Sequence, residues 1–169
     1  LEHSSEAIVV NGFSKLFAMT GWRLGYAIFP NELVNVVQKL QQNLFISAPD
    51  FAQFAAIAAL TDTEEEIENR RCRYNERRLL VLDRLQKIGL KVMVPPTGAF
   101  YVFVNISHYS VDSLNFAIQL LEKTGVAVTP GIDFGVHGEG FIRISYANSK
   151  EKLEEGISRL AKFLEEFDK

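Results

Sequence analysis

One segment constrains this chain more than any other: "TEEEIENRRCRYNERRLLVLDRLQKIGL", residues 63–90. Ile67, Tyr74, Val81, Leu85 and Ile88 recur on one face of a helix over many turns. Thr63 and Glu66 have the spacing of a capping box, and Gly89 is the expected stop. Acidic residues crowd the start and Arg70, Arg71, Arg73, Arg77 and Arg78 follow, the order that a helix dipole favours. Glu66 and Arg70 stand one turn apart, where opposite charges pair. The arginines therefore read as a solvated face or a subunit contact rather than a nucleic-acid patch. A helix this long braces two lobes. The expected division lies inside it, giving domains at residues 1–75 and 76–169.

Strand and helix patterns alternate on either side. "EAIVVNG" predicts a strand at residues 7–11, and "RLGYAIFP" predicts another, closed by Pro30. Asn31 is the expected cap of a helix on Leu33, Val37, Leu40 and Leu44. "PDFAQFAAIAALTD" predicts an alanine-rich helix, apolar on most sides and so well buried. "KVMVPPTGAFYVFVNI" holds two strand-like runs around Pro95, Pro96 and Gly98. "VDSLNFAIQLLEKTG" predicts a helix capped by Asp112 or Ser113 and closed by Gly125. "VAVTPG" and "GFIRISYAN" predict strands, and Leu153, Ile157, Leu160, Leu164 and Phe167 mark a closing amphipathic helix. In "GFIRISYAN", Phe141, Arg143 and Ser145 share one face, and Ile142, Ile144 and Tyr146 the other. The fold class is α/β or α+β, a layered sheet with helices.

Composition narrows the partners. The 169 residues are 47% hydrophobic, enough for one good core or two small lobes, with a net charge of -3. That balance points to neither nucleic acid nor an anionic membrane surface. No apolar run approaches the roughly 20 residues a membrane helix needs. Cys72 is the single cysteine, so a reducing compartment such as the cytoplasm is expected. The start, "LEHSSEAIVVNG", has neither a basic region nor an initiator methionine, and reads as the middle of a longer chain.

The segment "NGFSKLFAMTGWRLGY", residues 11–26, carries the chemistry. A lone lysine in a loop is ordinarily a surface residue. Here Ser14 and Thr20 add hydroxyls, while Gly12, Gly21 and Gly25 admit close approach of a ligand to the backbone. Arg23 brings a planar fork suited to phosphate. A lysine beside such an arginine fits a carbonyl cofactor that also carries a phosphate, as pyridoxal phosphate does.

"SKLFAMTGWRLGY" closely resembles the pyridoxal-phosphate lysine signature of the class I/II aminotransferases, the aspartate-aminotransferase-like family of fold type I. "PPTGAFYVFVNI", "GVAVTPGIDFG" and "GFIRISYAN" resemble further segments of the same family, so the likeness covers nearly the whole chain. It implies that Lys15 is the Schiff-base lysine, that Arg23 holds the cofactor phosphate, and that Arg143 grips the substrate α-carboxylate. It implies a homodimeric enzyme that moves an amino group between an amino acid and a 2-oxo acid. Gly12 stands where many members carry a serine whose hydroxyl touches the phosphate.

The resemblance also implies that this is the C-terminal part of the enzyme: part of the large domain, followed by an α+β small domain. The phosphate-cradling turn and helix start, the asparagine on the ring oxygen and the aspartate on the ring nitrogen belong before residue 1. Asp50, Asp62, Asp83, Asp112, Asp133 and Asp168 do not match that aspartate. A β-eliminating lyase of the same fold, and an aminotransferase-like ligand-sensing domain of a transcription regulator, are the alternatives. His3, His108 and His137 are not spaced for a metal, and no metal is expected. Cys72 reads as a free thiol, Asp133 as a turn residue and Trp22 as packing for the lysine loop. Phe100 or Tyr101 borders the substrate site.

Overall fold

In the computed structural model, which describes residues 6–167, the chain divides into two compact units between Arg70 and Arg71. His3 and Asp168 lie outside the described residues.

The first unit opens with two antiparallel strands, β1 (Val9–Gly12) and β2 (Gly25–Ile28), paired from Val9 opposite Ile28 to Gly12 opposite Gly25. A two-stranded ribbon is marginal by itself. Two helices follow, α1 (Asn31–Leu44) and α2 (Asp50–Thr61). Asn31 does not cap α1. Pro30 occupies that position without a side-chain bond, and its carbonyl accepts the Leu33 N–H at 3.0 Å. The fixed φ of proline, here -52°, suits a helix entry.

The expected burial of α2 holds for one stripe only. Ala52, Ala56 and Ala59 are buried, while Phe51, Phe54, Ile57 and Leu60 are exposed. A small core joins Ala56 and Ala59 to Phe13 and Met19 from the β1–β2 connection, with Phe17, Leu24 and Ala55 packed around it.

The long helix is α3 (Glu64–Lys87), and it runs across the division at Arg70–Arg71. The Thr63 hydroxyl donates to the Ala59 carbonyl at 2.7 Å, closing the last turn of α2. Val81 and Leu85 are fully buried, and Gly89 stops the helix at a φ of +82°.

The second unit holds a three-stranded antiparallel sheet of β3 (Tyr101–Asn105), β4 (Thr129–Pro130) and β5 (Phe141–Ser145), in the order β3-β5-β4. The run "KVMV" is not a strand. Pro95 and Pro96 have no N–H for a ladder, and Met93 and Val94 are exposed. Helix α4 (Ser113–Thr124) is capped by Asp112, whose carboxylate accepts the Asn115 N–H, and closed by Gly125 at a φ of 71°. Helix α5 (Lys150–Leu164) starts at Ser149, whose hydroxyl accepts the Lys152 N–H.

Val81, Leu85, Leu90, Val102, Val104, Ile106, Phe116, Leu120, Ile142, Tyr146, Leu153, Ile157, Leu160, Phe163 and Leu164 form one continuous core. The two faces of β5 part as their alternation predicts. Ile142 and Tyr146 are buried and Ile144 packs on the core, while Arg143 is half-buried and Ser145 exposed. Among the described residues, no helix is long and apolar enough to cross a membrane.

Candidate active site

Lys15 and Arg23 leave one closed loop. Phe13 donates its N–H to the Leu24 carbonyl at 3.1 Å, sealing the loop just beyond the Gly12–Gly25 pair. A Cβ on Gly25 would stand 3.0 Å from the Asn11 carbonyl oxygen, so only glycine lets the strands meet there without a shift. Within the loop, Lys15 belongs to a turn over residues 14–17, and the Ala18 N–H returns to the Lys15 carbonyl at 3.2 Å. Ala18 and Arg23 both hold left-handed backbone, at φ 54° and 52°. Non-glycine residues adopt that conformation at a cost, and the surrounding contacts must impose it.

Those contacts are of two kinds. Phe13 and Met19, on either side of the lysine, are buried against Ala56 and Ala59, whose small side chains let the loop lie close to α2. The Leu16 carbonyl accepts a bond of 2.6 Å from Nη1 of Arg70. Arg70, expected to face Glu66 on its own helix, thus reaches the lysine loop. Trp22 packs beside Phe51, ring centroids 5.9 Å apart, and is partly exposed.

The Arg23 guanidinium donates from Nη1 to the Thr20 carbonyl at 2.8 Å. That bond orients the fork and leaves further N–H groups to meet an anion.

Arg143 belongs to the second unit. Its guanidinium carbon lies 4.2 Å from the centre of the Tyr101 ring and 4.8 Å from that of Phe134. Nη2 donates to Oγ1 of Thr129 at 3.2 Å. Contact with two aromatic rings holds the guanidinium in place while keeping its charge. Tyr101, not Phe100, therefore borders this arginine. The Phe100 ring stacks on Tyr74, 5.8 Å between centroids.

A family model described as aminotransferase class I and II matches residues 1–160. The chain belongs to this family. It is 49% identical over 164 residues to the (5-formylfuran-3-yl)methyl phosphate transaminase of Methanocaldococcus jannaschii, covering 96% of this chain and 43% of that protein. It is 47% identical over 161 residues to an aspartate aminotransferase of Pyrococcus horikoshii, covering 94% and 41%. In three dimensions it matches the crystal structure of an aminotransferase from Mycobacterium tuberculosis with a TM-score of 0.91 at 42% identity, covering 98% of this chain and 43% of that one. The chain thus spans about two fifths of the length of these relatives.

The residues present fit the cofactor that an aminotransferase of this family implies. One loop offers a primary amine and a guanidinium, the donor set for an aldehyde and a phosphate. Among the described residues, no three histidine, cysteine or acidic side chains gather to hold a metal ion. Two contributors escape sequence reasoning. Arg70 looks like any member of an arginine run, and Phe134 like any apolar residue of a glycine-bounded turn.

Proposed function

We propose that the protein is a pyridoxal-5′-phosphate-dependent aminotransferase that exchanges an amino group between an amino acid and a 2-oxo acid. The observation that carries the reading is the Phe13–Leu24 loop, which presents Lys15 and Arg23 together on a braced backbone within an aminotransferase family chain.

Bound there, pyridoxal phosphate would supply a reactive aldehyde carbon and an electron-withdrawing ring. The Lys15 amine would hold that carbon. Once freed by the incoming amino acid, Nζ takes the proton from the substrate Cα, and it returns a proton to Cα when a 2-oxo acid is the acceptor. Arg23 holds the phosphate as a fixed cation and so fixes the direction from which Nζ reaches the substrate. Arg143 grips the substrate α-carboxylate with its fork, held beside Tyr101 and Phe134. A homodimer in the cytoplasm suits the family and the lone exposed thiol of Cys72.

The test is product analysis of the complete protein supplied with pyridoxal phosphate, a panel of amino acids and a 2-oxo acid. A new amino acid should appear in step with the new oxo acid, and Lys15→Ala should abolish both. Release of ammonia with the oxo acid would instead mark a β-eliminating lyase.

A further inference from the structure

We propose that Arg70 is the positioning residue of the lysine turn, a role that rests on the reading of Lys15 above. Arg70 lies on α3, 54 residues from Leu16, and its Nη1 reaches the Leu16 carbonyl at 2.6 Å. Leu16 follows the lysine directly, and both lie in the turn over residues 14–17.

The bonds that the loop makes to itself are longer. Ala18 N–H to Lys15 carbonyl is 3.2 Å, and Met19 N–H to Phe13 carbonyl is 3.3 Å. A guanidinium donating to a carbonyl is charge-assisted and stronger than either. It also comes from outside the loop, so it fixes the turn relative to a rigid helix rather than to itself. The need for such a brace is visible at Ala18, whose left-handed φ of 54° the loop must maintain.

Phe13 and Met19 anchor the loop by apolar contact with α2, on either side of the turn in sequence. Arg70 supplies the polar anchor inside the turn. Removing its fork leaves the Phe13 and Met19 side chains seated and frees the backbone between them, which carries Lys15 and the Ala18 and Met19 N–H groups. A displacement of that kind misdirects Nζ without altering the substrate contacts at Arg143. It should therefore appear in kcat rather than in KM.

The experiment is amide hydrogen exchange on the protein without cofactor, for the parent and its Arg70→Met and Arg70→Lys variants. It is read at Ala18 and Met19, with the amides of β3 and β5 as the folding control. Arg70→Met should speed exchange at Ala18 and Met19 by about tenfold and leave β3 and β5 unchanged, with Arg70→Lys between the two. In the complete enzyme, Arg70→Met should lower kcat by about tenfold with KM within about twofold of the parent.

Unchanged exchange at Ala18 and Met19 in Arg70→Met overturns the proposal whatever the activity. Faster exchange with kcat unchanged overturns it too, as does acceleration that spreads to β3 and β5, which would make Arg70 a general support of the fold. Because exchange needs neither cofactor nor substrate, it stands apart from the proposed reaction. Transamination by Lys15→Ala would remove the reading of Lys15 and leave the exchange result intact.

Discussion

A Cβ on Gly131 would lie 1.8 Å from the Gly138 carbonyl oxygen, and one on Gly138 would lie 2.0 Å from that of Gly131. The two backbones touch directly and fold the intervening residues into a closed segment. Ser113 anchors it at both ends. Its N–H and hydroxyl donate to the Glu139 carboxylate at 3.0 and 3.1 Å, and its Oγ accepts the Ile132 N–H at 3.1 Å. The segment carries Phe134, one of the two rings against Arg143.

Gly138→Ala should therefore cost about 3 kcal/mol, because backbone rather than a movable side chain blocks the methyl group. Gly21→Ala, with nothing within 4 Å of its Cβ position, should cost less than about 1 kcal/mol. Urea unfolding of both variants checks this. Equal midpoints would show that the segment opens freely.

Arg143→Lys should raise KM for the amino acid and for the 2-oxo acid alike, each by about tenfold or more, with a smaller change in kcat. A lysine keeps the charge but lacks the planar guanidinium held against Tyr101 and Phe134, and it offers no two-pronged contact to a carboxylate. Steady-state kinetics of the complete enzyme decides it. A KM unchanged for both substrates would remove Arg143 from the carboxylate site.

What was legible in the sequence is what repeats over short distances. Alternation along Phe141–Tyr146 gave the two faces of β5, because one face is buried in a core and the other is not. Gly89 and Gly125 announced their helix ends because left-handed backbone there favours glycine. The lysine loop was legible through a motif. Its braces were not, since periodicity pairs Arg70 with Glu66 on its own helix and is silent about a carbonyl 54 positions away. "KVMV" satisfied the composition of a strand, but Pro95 and Pro96 behind it have no N–H for a ladder. The all-round apolar character of α2 predicted burial, although the described residues cover only its alanine stripe.

The Glu76–Lys150 pair should add only a small acid limb to stability, because both side chains are exposed to solvent. The hydrogen bond from Lys150, 2.6 Å from Nζ, holds the Glu76 carboxyl below the ordinary glutamate value of 4.5, and the charge of Lys150 adds to it. A depressed carboxylate binds fewer protons folded than unfolded just below that value. Its contribution is therefore complete above pH 4.5 and is lost as pH falls through the lowered folded pKa. Lys150→Gln should return the Glu76 titration toward 4.5, and high salt should do so in part. Carbon-detected NMR titration of the side-chain carboxyl reads this directly. No movement of Glu76 in the variant would mean that the pair is not formed in solution.

The exposed side of α2 sets the behaviour of the 169-residue chain on its own. Phe51, Phe54, Ile57 and Leu60 are 67%, 73%, 59% and 61% exposed, and Phe45 and Ile46 just before them are 73% and 81% exposed. Side chains of this size rarely stand together in water on a stable monomer. Val10 on the two-stranded ribbon is also 76% exposed, beside backbone edges that another strand can join. Burying one phenylalanine is worth about 2 kcal/mol, so a contact that covers several overcomes the entropy of association at modest concentration. The isolated chain should therefore sediment as concentration-dependent oligomers. Phe54→Gln with Leu60→Gln should shift it toward monomer without lowering the unfolding midpoint, because neither side chain belongs to a core. Sedimentation velocity over a hundredfold range of concentration tests both halves. A parent chain that stays monomeric throughout would show that this face does not drive self-association.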